Sequence, residues 1–185
     1  MRIVVCPGIH APKLTQEFLQ GLQGEDWRAN AFSQLEILLF PTQKYPAISA
    51  FHILQFLCVD RLVPPSPIIF ISFSAGVVGA IGAAWGWQLL GGEVKAFIAL
   101  DGWGVPLHGN FPIHRLSHDY FTHWTSLLSG GEESFYAEPA VEHLDLWRSP
   151  QSVQGWRTDS KGTAQRLSAA QFLLMLLSNY LVPDV

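Results

Sequence analysis

The five residues Ser72-Phe73-Ser74-Ala75-Gly76 carry the most specific chemical signal in the chain. They follow the pattern small residue, any residue, nucleophile, any residue, glycine. A hydroxyl held on a sharp turn between a strand and a helix needs small residues two positions away on either side, where the backbone folds tightly. The apolar run Pro67–Phe73 supplies the strand, and the stretch from Ala75 onward, with Gly79 and Gly82, supplies a helix that can pack closely. The free N–H groups at such a helix start, together with its dipole, favour negative charge beside the hydroxyl. Ser74 is therefore the candidate nucleophile. The competing reading makes Ser72 and Ser74 polar residues at a helix start, Ser74 serving only as the N-cap.

The elements around this motif alternate. Arg2–Cys6, Glu36–Phe40, Pro67–Phe73 and Val94–Leu100 are near-continuous apolar runs and read as buried strands; Ser134–Glu138 reads as a fifth, short one. Helical spacing marks about Pro12–Leu22 (closed by Gly24), Ala47–Val59, Ala75–Leu90, Asp119–Leu128 and Thr163–Leu181. Residues 102–118, punctuated by Gly and Pro, read as a long loop. Strands of this kind alternating with helices predict an α/β fold. It is a three-layer, doubly wound sandwich around a mostly parallel sheet of about five strands. The 185 residues fit one domain, 1–185. Ligands of such sheets collect at the carboxyl ends of the strands, and Ser74 stands at one of them.

Composition narrows the partners. A formal charge of −4 and the absence of any basic run argue against nucleic acid. The only two cysteines, Cys6 and Cys58, suit a reducing cytoplasm, and the N-terminal apolar stretch stops at Pro7-Gly8, too soon for a signal peptide. Between Arg61 and Glu93 there is no charged residue, which invites a membrane-span reading. Pro64, Pro65, Pro67 and six glycines interrupt that window, so a buried strand followed by a buried helix is the better expectation, with no membrane span.

With Ser72-Phe73-Ser74-Ala75-Gly76 placed after the third strand and before a helix, the chain resembles the α/β-hydrolase superfamily, in particular its small, lidless members. The resemblance covers the whole chain by element order. It implies a minimal version of that fold and a Ser–acid–His triad in that chain order. It also implies an oxyanion hole of backbone N–H groups and hydrolysis of an ester or thioester through an acyl-enzyme, with a small-molecule acyl substrate and no cofactor. Carried onto this sequence, the nucleophile is Ser74, the acid Asp101 at the end of the fourth strand, and the base His143. The oxyanion donors would be the N–H groups of Ile9, after Pro7-Gly8, and of Ala75. The sequence departs from the family in three places. Ser72 replaces a glycine, Pro7-Gly8 stands where His-Gly is common, and the acid lies one strand earlier than usual. Asp101-Gly102 also reads as a plain turn, and Glu138 is the alternative acid.

Among the other candidates, His10, Trp103 and Trp147 are expected at the substrate pocket. His108, His114, His118 and His123, with Asp119, form a rival cluster, but no metal-binding spacing of the HExxH kind accompanies them and no metal is expected. A non-catalytic binding or scaffold protein on the same fold is the alternative reading, because a fold does not fix a function. Oligomeric state has no signature in the sequence.

Overall fold

The computed structural model describes residues 1–23, 35–60, 64–127, 133–159 and 163–181. In chain order the elements are β1 (Arg2–Cys6), α1 (Pro12–Gly21), β2 (Glu36–Leu39), α2 (Ala50–Asp60), β3 (Pro67–Phe73), α3 (Ala75–Leu89) and β4 (Glu93–Leu100). Then come β5 (Ile113–Ser117), α4 (Tyr120–Leu127), β6 (Glu133–Ala137), α5 (His143–Arg148), β7 (Gln154–Asp159), β8 (Ala164–Ser168) and α6 (Ala169–Leu181). One eight-stranded sheet runs in the order β2-β1-β3-β4-β5-β6-β7-β8. It is parallel from β2 through β6 and antiparallel at β6–β7 and β7–β8.

Alternate residues of the central strands face opposite sides, as the pleat requires. Ile3, Val5, Ile69 and Ile71 join a core with Phe18 of α1, Leu146 and Trp147 of α5, and the apolar stripe of α6. Val4, Cys6, Ile68 and Phe70 join a second core with Ile53 and Leu57 of α2 and the buried face of α3. Helices thus cover both faces of the sheet. From β1 the chain moves first to β2 on one side and then to β3 on the other, so the strand order reverses at β1. The carboxyl ends of β1 and β3, which carry Pro7-Gly8 and Ser74, flank that reversal, where a crevice is built into the topology.

Three expectations need correcting. Among the described residues the sheet has eight strands, not about five. The segment 102–118 is not all loop, because Ile113–Ser117 forms β5 between β4 and β6. The polar residues His114 and Arg115 hid this strand, yet all five of its residues are buried; the ring of His114 meets the Tyr180 hydroxyl at 2.6 Å. The stretch from Thr163 is helical only from Ala169, since Ala164–Ser168 pairs with β7 as an edge hairpin. Edge strands have one hydrogen-bonding side in solvent and carry polar residues freely. On β8 the Gln165 side-chain oxygen accepts from Arg157 of β7 at 3.4 Å. One strand further in, Glu133 pairs with Arg157 at 2.6 Å and the Ser134 and Thr158 hydroxyls meet at 2.8 Å across β6–β7. Gly24 and Leu128, expected at helix ends, lie outside the described residues. Among those residues, no helix is long and apolar enough to cross a membrane.

Candidate active site

Ser74 sits between β3 and α3 with φ 53° and ψ −125°, a conformation that L-residues avoid. Such a backbone costs on the order of 1–3 kcal/mol and persists only when the surroundings impose it. They do so here. The Ser74 N–H donates to the carbonyl of Leu100 at 2.9 Å, and its carbonyl accepts the N–H of Val77 at 3.0 Å. Gly76 is required because a Cβ there would run into the carbonyl oxygens of Cys6 and Pro7. Serine is tolerated at position 72, where its hydroxyl donates to the Ile98 carbonyl at 3.2 Å. The Ser74 side chain does not cap α3; it points to an imidazole instead.

That imidazole belongs to His143. Its Nε2 lies 3.0 Å from Ser74 Oγ, and its Nδ1 lies 2.8 Å from Oδ2 of Asp101. A carboxylate can only accept, so Nδ1 carries the proton and Nε2 is left to accept from the serine hydroxyl. His143 opens α5, and Trp147 lies one turn further on the same face. Trp147 is fully buried, stacked on Phe18 (3.7 Å, 7°) and Phe73 (5.0 Å, 11°). Phe73 in turn stacks on His143 at 4.7 Å. The residue before the nucleophile and the residue one turn after the base are thereby parts of one aromatic column. Trp147→Ala is expected to lower the free energy of unfolding by about 3–5 kcal/mol, as deletion of a buried aromatic does. Urea titration followed by circular dichroism measures the loss.

Asp101 also has a positive φ, 49°, and its N–H donates to Leu116 of β5 at 2.8 Å. Its side chain is only 2% exposed. Oδ2 accepts from His143 Nδ1 and also from His118 Nδ1 at 2.9 Å, while Oδ1 accepts the His118 main-chain N–H at 2.9 Å. Burial pushes the Asp101 carboxyl pKa up, but the hydrogen bonds from His118 and His143 and the charge of His118 outweigh it, leaving it below its ordinary value. His118 moves the other way. Its hydrogen bond to Asp101, with the charges of Asp101, Asp119 and Glu142, raises its pKa against the opposing effect of burial.

No family model matches this chain, and neither does any curated protein. The reading of the site therefore rests on its own geometry.

A cavity of about 380 Å³ opens over the three side chains, lined by Ser74, His143 and His118 together with Val78, Trp103 and Val105. Trp103 is at its rim, 64% exposed. Gly8 packs against the nucleophile, where a Cβ would lie 3.0 Å from that of Ser74, so the Gly8-Ile9 main chain runs beside it. Ile9 itself is 81% exposed. Ala75, next to Ser74 in the chain, also lines the cavity. A second cavity of about 360 Å³ lies behind Gly8 and Ile9, bordered by His10, Thr42 and Pro46.

Not every expected residue lies where the sequence suggested. Trp147 is a core residue beneath the site and lines no pocket there, because its ring is consumed by stacking. His10 borders the second cavity, its ring against Phe73 at 5.7 Å. Glu138 is exposed after β6, while the Nδ1 of His143 is taken by Asp101. The rival histidine cluster disperses. His108 lies tilted against Trp85, His114 bonds Tyr180, and His123 is buried beside Tyr136 with its pKa lowered by that burial.

His118 is the residue that sequence reasoning left among loop histidines. Its signal was its place directly after a strand that had not been recognised. Asp101, His118 and His143 together offer a carboxylate and two imidazoles within 4.8 Å. Both Nδ1 atoms stand at hydrogen-bond distance from the same oxygen, 2.8 and 2.9 Å. Two ligands of one tetrahedral zinc ion would stand about 3.3 Å apart, so the residues would have to separate to admit one. The arrangement fits shared protons better than a shared metal.

Proposed function

We propose that this chain is a lidless serine hydrolase on a minimal α/β-hydrolase fold, cleaving a small ester or thioester. The observation that carries the reading is the continuous path from Ser74 Oγ to His143 Nε2 (3.0 Å) and from His143 Nδ1 to Asp101 (2.8 Å), on a strained strand-to-helix turn. In the first half-reaction Ser74 Oγ attacks the acyl carbonyl carbon and its proton passes to His143 Nε2. The imidazolium formed sits against the buried Asp101 carboxylate. The N–H groups of Ile9 and Ala75 would receive the oxyanion, each such donor being worth on the order of 3 kcal/mol in the transition state. The tetrahedral adduct collapses as His143 returns the proton to the departing alkoxide or thiolate. In the second half-reaction water attacks the acyl-enzyme carbonyl, giving a proton to His143; the adduct collapses as His143 returns that proton to Ser74 Oγ, and the free acid leaves.

The cavity beside Ser74 suits a small apolar acyl group, since Val78, Val105 and Trp103 border it. No step needs a cofactor. Both cysteines are free, which fits a reducing, cytoplasmic setting.

Intact-mass measurement after exposure to a fluorophosphonate tests the reading directly. One adduct is expected, mapping to Ser74 and missing from Ser74→Ala. A folded wild-type protein that takes no label, under conditions that label a known serine hydrolase, would point instead to a non-catalytic binding protein.

A further inference from the structure

Asp101 serves two imidazoles. His143 takes one donor position on Oδ2, and His118 grips both oxygens, Oδ2 through its ring Nδ1 at 2.9 Å and Oδ1 through its main-chain N–H at 2.9 Å. A carboxylate held at both oxygens by one residue can no longer rotate about its terminal bond, so the edge it presents to His143 is set by His118. The grip is itself anchored. His118 directly follows β5, its Nε2 lies 3.4 Å from Asp119 Oδ2, and Asp119 Oδ1 accepts the Thr122 N–H at the start of α4. On the other side the His118 carbonyl accepts the N–H of Val141, two residues before His143, at 3.0 Å. A single residue thus ties the segment bearing the acid to the segment bearing the base.

We infer that His118 is a positioning residue, fixing the Asp101 carboxylate and the approach to α5 so that Oδ2 stays on the Nδ1 proton of His143. The inference rests on the serine-hydrolase reading for its purpose but not for its geometry. His118 has no described contact with Ser74; it acts through Asp101. The ionisable groups that face it are Asp101, Asp119 and Glu142, all acidic, with His143 sharing the first of them. The acidic surroundings favour a protonated His118, which strengthens its hold on Asp101.

Two variants separate positioning from mere packing. Asn at 118 places an amide donor where Nδ1 stood, whereas Ala removes the ring donor and leaves the main-chain one. The first readout is proton NMR of the imidazole N–H groups, where a proton shared with a buried carboxylate resonates far downfield. Wild type is expected to give two such signals. His118→Ala should lose one and shift or broaden the other, and His118→Asn should return the survivor to its wild-type position. The second readout is the rate of fluorophosphonate labelling of Ser74, expected to fall about 10- to 100-fold in His118→Ala, the range for loss of a supporting hydrogen bond, and to recover in His118→Asn. A His143 signal that keeps its position and sharpness in folded His118→Ala would overturn the inference. So would a labelling rate equal to wild type in that variant. Wild-type protein that shows both signals but takes no label at any pH sinks the hydrolase reading and leaves the clamp standing, so the two failures are distinct.

Discussion

Alanine at Ser74 is expected to lower kcat for a short-chain p-nitrophenyl ester by about 10⁶-fold, and His143→Ala by a similar factor. The double variant should lose no more than either single one. The reason lies in the 3.0 Å contact between Ser74 Oγ and His143 Nε2. Without a base in reach the hydroxyl is a poor nucleophile, and without the hydroxyl the base has no proton to take. The two residues therefore act as one unit, and removing the second half of a broken unit costs nothing further. A residual rate of about 10³–10⁴ over water is expected to survive in every variant, since the proposed oxyanion donors, the backbone N–H groups of Ile9 and Ala75, would remain. Steady-state rates on the three variants, corrected for the fraction of folded protein, provide the measurement. Losses that multiply in the double variant would mean that Ser74 and His143 serve separate processes, and the proposed mechanism would fall.

The parts of this arrangement that were readable from the sequence share a physical feature: they are dictated by local constraint. Ser72, Ser74 and Gly76 stand out because a tight turn admits few residue types, and β1, β3 and β4 because strands covered on both faces must be apolar throughout. Asp101 and His143 could be nominated from their places after strands, and the structure brings their side chains together. What escaped was set by distant partners. The strand β5 carries His114 and Arg115 into the interior, where the His114 ring meets the hydroxyl of Tyr180, a partner far away in the sequence. The β7–β8 hairpin belongs to the sheet edge, where apolar patterning fades. Trp147 has the composition of a pocket residue, and only its stacking on Phe18 and Phe73 makes it an anchor. His118 became visible only once β5 set it beside Asp101.

Replacing Asp101 by Asn is the most discriminating single change, because it keeps the shape and removes an acceptor. Three donors converge on this side chain: the Nδ1–H of His143, the Nδ1–H of His118 and the main-chain N–H of His118. Asparagine has one oxygen for them and an NH₂ group that is itself a donor. If the oxygen faces the main-chain N–H, the NH₂ faces both imidazoles and favours the tautomer with the proton on Nε2. His143 then presents N–H, not a lone pair, to Ser74, and kcat is expected to fall by about 10⁴-fold. Stability should change in its own pattern. The lowered pKa of Asp101 contributes stability that is present above the ordinary carboxylate value of about 4 and is lost as pH falls through the folded value. The raised pKa of His118 contributes stability that is complete below its ordinary value of about 6.5 and is lost as pH rises through the folded one. Both are at work between roughly pH 4 and 6.5, so it is there that wild type should exceed Asp101→Asn by most. Urea unfolding of the two proteins from pH 3 to 9 reads this directly. A constant difference across that range would show that Asp101 is held by shape alone, and that its charge, which the proposed transition state would need beside a His143 imidazolium, is not what the site was built around.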